Sequence, residues 1–330
     1  MFDKLIRGKN VNFLIGSGAS ASLYPTLSLG KDCPSFEDVV CHENISDETK
    51  IFMYLYYFRK AIVPMAFGRN NFDETYGKSE GYEQYKKFVE LLYGFLEGES
   101  NERPKRANIF STNYDLMIER ACDVFLMKYP LAFFNDGSRG AFRRYISNQN
   151  FYLNVTHSGY NDAYRREIPT INLIKLHGSV SWEVDQDKIL AVYHNAHICC
   201  VQKNFDAVGV SLETIEKQIE DCQAQETAVF VDRLNDKVSS AELDTEKLQE
   251  FFTSYEKLPI INPDKRKFSS TLFQQHYYQM LRSFSYELEG KQAVLIVFGF
   301  SFADEHITDI FRRSLLNPEL LVIIISYSLE

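Results

Sequence analysis

Four short polar clusters in this 330-residue chain carry residue types that could do chemistry. The first, Gly16-Ser17-Gly18-Ala19-Ser20, ends the apolar run Val11 to Ile15. Glycines and small side chains there would bring bare backbone close to something bulky and anionic. The N-terminus of a following helix would offer free N–H groups to a diphosphate. Residue 21 is alanine, so the third glycine of a dinucleotide fingerprint is missing, and an ordinary tight turn explains the stretch equally well. In the second cluster, Ser111-Thr112-Asn113-Tyr114-Asp115, Asn113 or Asp115 reads as a helix N-cap. An amide that both donates and accepts could also orient a ribose hydroxyl or a water. The third, Lys175-Leu176-His177-Gly178-Ser179, sets His177 directly after an apolar run and beside a glycine, a setting that suits a general base. His42, His157, His194, His197, His276 and His306 lack it. The fourth runs from Val297 through Gly299 and Ser301 to Asp304. Its glycine and serine could approach a phosphate or ribose, and Asp304 reads first as an N-cap and helix-dipole partner.

Each cluster follows an apolar run that must position it. Residues 11–15, 108–110, 171–176, 293–300 and 320–326 are near-continuous in large apolar side chains, the pattern of parallel strands covered on both faces. In an open parallel sheet, ligands bind beyond the carboxyl ends of the strands, near the point where strand order reverses. Amphipathic patterning predicts helices over 47–67, 81–98, 115–128, 268–290 and 304–316, with weaker signals at 211–225 and 240–254. The expected fold is therefore α/β, a parallel sheet with helices on both faces. The core comprises 1–32, 106–182 and 291–330; residues 33–105 and 183–290 form two mostly helical insertions. The chain stops just past a core strand, so the natural protein is expected to continue past residue 330, unless the final Leu-Glu is an appended remnant.

Composition narrows the classes. Formal net charge is −9 and the densest basic stretch is Lys265 to Phe268, which reads as a solvated loop, so direct nucleic-acid binding is not expected. No apolar run nears the roughly 20 residues that span a bilayer, and the N-terminus lacks the apolar core of a signal peptide. A cytoplasmic protein without membrane attachment is expected. Six cysteines include no C-x-x-C pair, so no metal is expected.

Taken in order, Gly-Ser-Gly-Ala-Ser, Ser-Thr-Asn-Tyr-Asp, Lys-Leu-His-Gly-Ser and Gly-Phe-Ser resemble the sirtuin-like NAD-binding family, with its Rossmann-like core. They look most like its bacterial branch that hydrolyses NAD in anti-phage defence. The resemblance covers roughly 8–40, 105–125, 168–183 and 292–326. It implies that NAD is the substrate and that Gly16, Ser17, Gly18, Ala19 and Ser20 cradle its diphosphate, with Thr112 also binding. It implies that Asn113 orients the nicotinamide ribose and a water, that Asp115 faces the nicotinamide amide, and that His177 is the catalytic base. Gly299, Ser301 and Asp304 would hold the adenosine side. Either Pro25 or Pro34 matches the family's proline-aromatic segment, and Ser326 stands where many sirtuins carry asparagine. The four-cysteine zinc module of sirtuin deacylases has no counterpart here, which resembles the hydrolase branch.

The activity so implied is an NAD glycohydrolase releasing nicotinamide and ADP-ribose. A protein deacylase or ADP-ribosyltransferase and a non-catalytic NAD or ADP-ribose sensor are the alternatives. The resemblance also implies a homo-oligomer, or pairing with a helicase-type ATPase or sensor module. Aromatic-rich helices such as 52–58 are candidates for subunit contacts, although packing within their own chain is the simpler explanation for any one residue.

Overall fold

A computed structural model describes residues 5–26, 28–66, 69–101, 103–193, 196–262 and 271–326. The basic stretch 265–268, His194 and the first residues of the helix expected from 268 lie outside the described residues. At the centre is a parallel sheet of β1 (Asn10–Ile15), β2 (Arg106–Ser111), β3 (Phe133–Asn135), β4 (Thr170–Lys175), β5 (Ala293–Phe298) and β6 (Leu321–Ile325). Its strand order is β6-β5-β1-β2-β4-β3. Strand order reverses between β1 and β5. The sheet, with helices around it, is the expected α/β, Rossmann-like arrangement. The edge strand β3 carries no long apolar run and has no counterpart in the sequence reading.

The helices are α1 (Phe36–Val40), α2 (Asp47–Tyr57), α3 (Arg69–Thr75), α4 (Glu80–Glu97), α5 (Met117–Lys128), α6 (Ala196–Val208), α7 (Leu212–Asp221), α8 (Thr227–Ser240), α9 (Thr245–Tyr255), α10 (Thr271–Glu289) and α11 (Glu305–Ser314). Strand side chains alternate between two cores. Val11, Phe13, Ile109, Leu173 and Ile296 join the helices of both insertions. Leu14, Phe110, Ile174, Leu295 and Val297 meet Met280, Phe284 and Leu288 of α10 and Ile307 of α11. The helix expected over 47–67 is interrupted by a π turn at Phe58–Ile62. Pro64 follows that turn, and a proline ring inside a helix displaces the carbonyl four residues back. The stretch 183–290 also differs in detail. It opens on a hairpin, Trp182–Asp185 with Lys188–Ala191, and it includes α6 and α8, which the sequence reading did not resolve.

The aromatic run of α2 faces its own chain. Phe52, Tyr54 and Phe58 are at most 1% exposed, because the second insertion covers them. Tyr54 lies 5.4 Å from Phe252 and 5.2 Å from Tyr255, and Phe58 lies 5.7 Å from Phe251, ring centre to ring centre. The two insertions therefore share one core.

A line of buried amides crosses the sheet. Asn12 of β1 is paired in register with Asn108 of β2, Asn108 with Asn172 of β4, and Asn172 with Asn135 of β3. Asn108 donates to Asn12 Oδ1 at 2.9 Å, Asn172 to Asn108 Oδ1 at 2.9 Å, and Asn135 to Asn172 Oδ1 at 2.8 Å. All four are buried. A slip of one strand would leave several of these groups without partners in an apolar surrounding. Asn172→Ala is expected to lower stability by about 1–3 kcal/mol for each group it orphans. Urea denaturation measures this, and an unchanged midpoint would show the line to be incidental.

Candidate active site

All four polar clusters border one cavity of about 180 Å³ at the carboxyl ends of the strands. It sits where the order reverses between β1 and β5, the place such sheets offer a ligand. Ser17, Ser20, Thr112, Asn113, Asp115, His177, Gly299, Ser301 and Asp304 all line it. Gly16, Gly18 and Ala19 do not.

The glycines serve a different close approach from the one expected. Gly18 N donates to Gly299 O at 2.9 Å, Gly16 N to Phe298 O at 3.2 Å and Ala19 N to Gly16 O at 3.0 Å. Those N–H groups are therefore engaged rather than open to a diphosphate. A Cβ on Gly16 would lie 2.4 Å from Gly299 O, and one on Gly18 would lie 2.9 Å from Gly299 Cα. Gly299 itself has φ +63°, and its Cβ would lie 2.2 Å from Ala19 N. The bare backbone at 16–18 makes room for the loop after β5. The helical segment that follows is a single 3-10 turn, Ser17–Ser20, too short to present the expected helix N-terminus.

Ser20 is the hub of the loop. Its hydroxyl donates to Asp115 Oδ2 at 2.7 Å and accepts from Asn113 Nδ2 at 3.3 Å. The Tyr85 hydroxyl lies 2.7 Å from Ser20 Oγ. Burial, aided by the Asp115 carboxylate, raises the Tyr85 phenol well above its ordinary value, so the phenol keeps its proton and donates it to Ser20. Asp115 Oδ1 accepts from Met117 N, the first residue of α5, at 3.0 Å; the N-cap position itself is Leu116, so neither Asn113 nor Asp115 is the cap expected from the sequence. With its Nδ2 held by Ser20, Asn113 has a buried Oδ1 that no described residue satisfies. The Tyr24 hydroxyl, also at the cavity, is buried without a hydrogen-bond partner. Orphaned buried polar atoms are costly, and here three, with His177 Nε2, belong to residues lining one cavity. An amide oxygen accepts, so it suits an O–H or N–H of a ligand or water.

Asp304 does two things. Its Oδ1 accepts from Ile307 N at 3.0 Å and caps α11. Its Oδ2 lies 3.1 Å from His177 Nε2, close enough for charge attraction but too poorly aligned for a hydrogen bond. This carboxylate therefore faces the imidazole.

Sequence reasoning missed the walls contributed by the insertions. Glu37, Tyr57 and Met65 come from the first, and Ile261 and Asn262 from the second. The strap at 258–262 is tied to the His177 loop: Ile261 N donates to His177 O at 2.8 Å. The Tyr114 hydroxyl also donates to Ile261 O. Gly178, at φ +87°, lets Pro259 O approach to 2.0 Å from where a Cβ would stand. Of the two candidate prolines, Pro25 lines the cavity and Pro34 does not; Ser326 is exposed beyond β6. The lining includes the carboxylates of Glu37, Asp115 and Asp304 and, among the described residues, no lysine or arginine. Such a cavity favours a cationic guest over a diphosphate. No protein-family model matches the chain, and no curated protein does. Among the described residues, no helix is long and apolar enough to cross a membrane.

Beneath the floor, Lys175 Nζ lies 3.3 Å from Glu119 Oε1, with both side chains at most 7% exposed. Burial pushes Glu119 up to about 7, against the pull of Lys175. A carboxyl raised in the folded state contributes stability that is full below its unfolded value and lost as pH rises through the folded one. Stability should therefore fall between the ordinary value of 4.5 and about 7, and Glu119→Gln should flatten that fall in urea titrations across the range. Gly299→Ala should destabilise more than Gly8→Ala. Both sites have positive φ, but a Cβ at Gly8 meets nothing within 4 Å and so adds only the conformational strain of about 1–2 kcal/mol. Thermal unfolding of the two variants checks the order.

Proposed function

We propose that this protein cleaves the bond between nicotinamide and ribose in NAD, releasing nicotinamide and ADP-ribose. The observation that carries the reading is the cavity shared by Asn113 and His177, with the Asn113 Oδ1 buried and unpartnered. The order of the four clusters, which resembles the NAD-hydrolysing sirtuin-like branch, supports it, and the same resemblance extends the proposal to a role as a defence effector.

The chemistry fits the charges present. The leaving pyridinium departs as a neutral molecule, so no general acid is required. Positive charge then develops on the ribose, as in other glycosidic cleavages. Asp115, Asp304 and Glu37 surround the cavity with negative potential that favours such a transition state. Asn113 Oδ1 would accept a hydrogen bond from the attacking water or a ribose hydroxyl and hold it in place. His177 would take the proton, with Asp304 stabilising the imidazolium that results. At about 180 Å³ the cavity is smaller than the roughly 300–1,000 Å³ of sites that enclose a drug-sized ligand. It suits the nicotinamide-ribose end, with the diphosphate and adenosine extending past Ser17 and Ser301 at its border. The Gly16 and Gly18 backbone is not needed to hold the anion in this arrangement.

Purified protein incubated with NAD alone should release nicotinamide without an acceptor. Asn113→Ala and His177→Ala should each lower the rate by about 10²–10⁴-fold. Asp304→Asn keeps the α11 cap, because asparagine caps as well as aspartate, and removes the charge facing His177; it should lower turnover by less than His177→Ala does. Saturable NAD binding with no release by any assembly of the chain would make it a sensor. Release only with an acyl-lysine or protein acceptor would make it a transferase.

A further inference from the structure

The backbone of the Asn113 cluster is held by the His177 cluster through its carbonyl groups. Lys175 Nζ donates to Asn113 O at 3.3 Å and to Asp115 O. Between them, Tyr114 O accepts from Val180 N at 3.1 Å and from Ser179 Oγ at 3.4 Å. All three consecutive carbonyls therefore point away from the cavity into residues that flank His177. The Asn113 and Asp115 side chains are left to face Ser20 and the cavity.

The lysine is an expensive way to make this contact. Its side chain is 4% exposed, and a buried ammonium carries a desolvation penalty that a hydrophobic residue of similar volume would avoid. Lys175 donates to two carbonyls, Asn113 O and Asp115 O, and is ion-paired with Glu119 Oε1. Each contact reaches a different point of the loop and helix after β2. Lys175 also ends β4, two residues before His177, and is in register with Ser111, two residues before Asn113.

We propose that Lys175 is a positioning residue that sets the span between the Asn113 amide and the His177 imidazole. Its side chain does not line the cavity. It fixes the loop of one reacting group to the strand that delivers the other. The proposal rests on the glycosidic-cleavage reading for its catalytic consequence, not for its geometry.

Lys175→Met alone would strand the buried Glu119 carboxylate and could unfold the chain. The informative variant is the double substitution Lys175→Met, Glu119→Gln, which removes both charges together and is expected to fold. A displacement of about 1 Å between reacting groups lowers rates by about 10²-fold, so with NAD as the probe kcat should fall by about that much while KM stays within about threefold. Hydrogen exchange of the full-length protein should quicken in the peptide covering 111–117. Unchanged kcat in a folded double variant would overturn the proposal, as would loss of the folded state, which would assign the pair to stability. If the wild-type chain releases no nicotinamide, the cleavage reading fails by itself. The exchange measurement then decides the role of Lys175: faster exchange supports it and unchanged exchange overturns it.

Discussion

Hydrogen-bonded side-chain amides fix where the central strands end. Asn12, Asn108, Asn172 and Asn135 each meet the next across the sheet, and no other register satisfies them together. Three residues further along, Ile15, Ser111 and Lys175 stand in one row, with Phe298 of β5 beside Ile15. The loops that begin just beyond this row carry the polar clusters. Their convergence is a consequence of register, because each loop leaves the sheet at the same height. The apolar strand faces supply the stability, but their contacts are non-directional, whereas a buried amide displaced from its partner is left unsatisfied.

Above that row, the loops are held by contacts between backbones. Gly18 and Gly299 meet without side chains between them, closing the gap between β1 and β5. The carbonyls of 113–115 are gripped from the β4 side. Several side chains facing the cavity are tied to the loops, Ser20 to Asp115 and Asn113, and Asp304 to the start of α11, whereas Asn113 Oδ1 has no structural bond to make. Such an arrangement leaves hydrogen-bonding capacity uncommitted at the cavity, at Asn113 Oδ1 above all.

Much of this was legible in the sequence, for identifiable reasons. The strands β1, β2, β4, β5 and β6 announce themselves because a sheet buried on both faces needs unbroken apolar runs. His177 and Asn113 stand out because small or polar residues follow such runs abruptly. The short β3 gives no signal, since three residues at a sheet edge have no periodicity to read. Glycine chemistry is ambiguous in one dimension: a bare backbone admits a phosphate or another backbone, and only the pairing with Gly299 distinguishes them. Tyr57, Ile261 and Asn262 were invisible as site residues because they reach the cavity from chain segments far from every motif, and Glu37, three residues after Pro34, because nothing in its helical pattern marks it. The role of Lys175 was likewise hidden, since a lysine at a strand end ordinarily points to water.

The shared core of the two insertions bears on how the chain comes into being. Tyr54 and Phe58 lie in the first quarter of the polypeptide, yet their rings are packed against Phe205, Phe251, Phe252 and Tyr255. Contacts that join such distant positions form late. While the ribosome is still making the middle of the protein, these aromatic residues lack the rings that cover them in the folded chain. The emerging chain must keep that greasy surface from its neighbours until residue 255 has left the exit tunnel, and helpers that shield nascent polypeptides are the natural guardians of that interval.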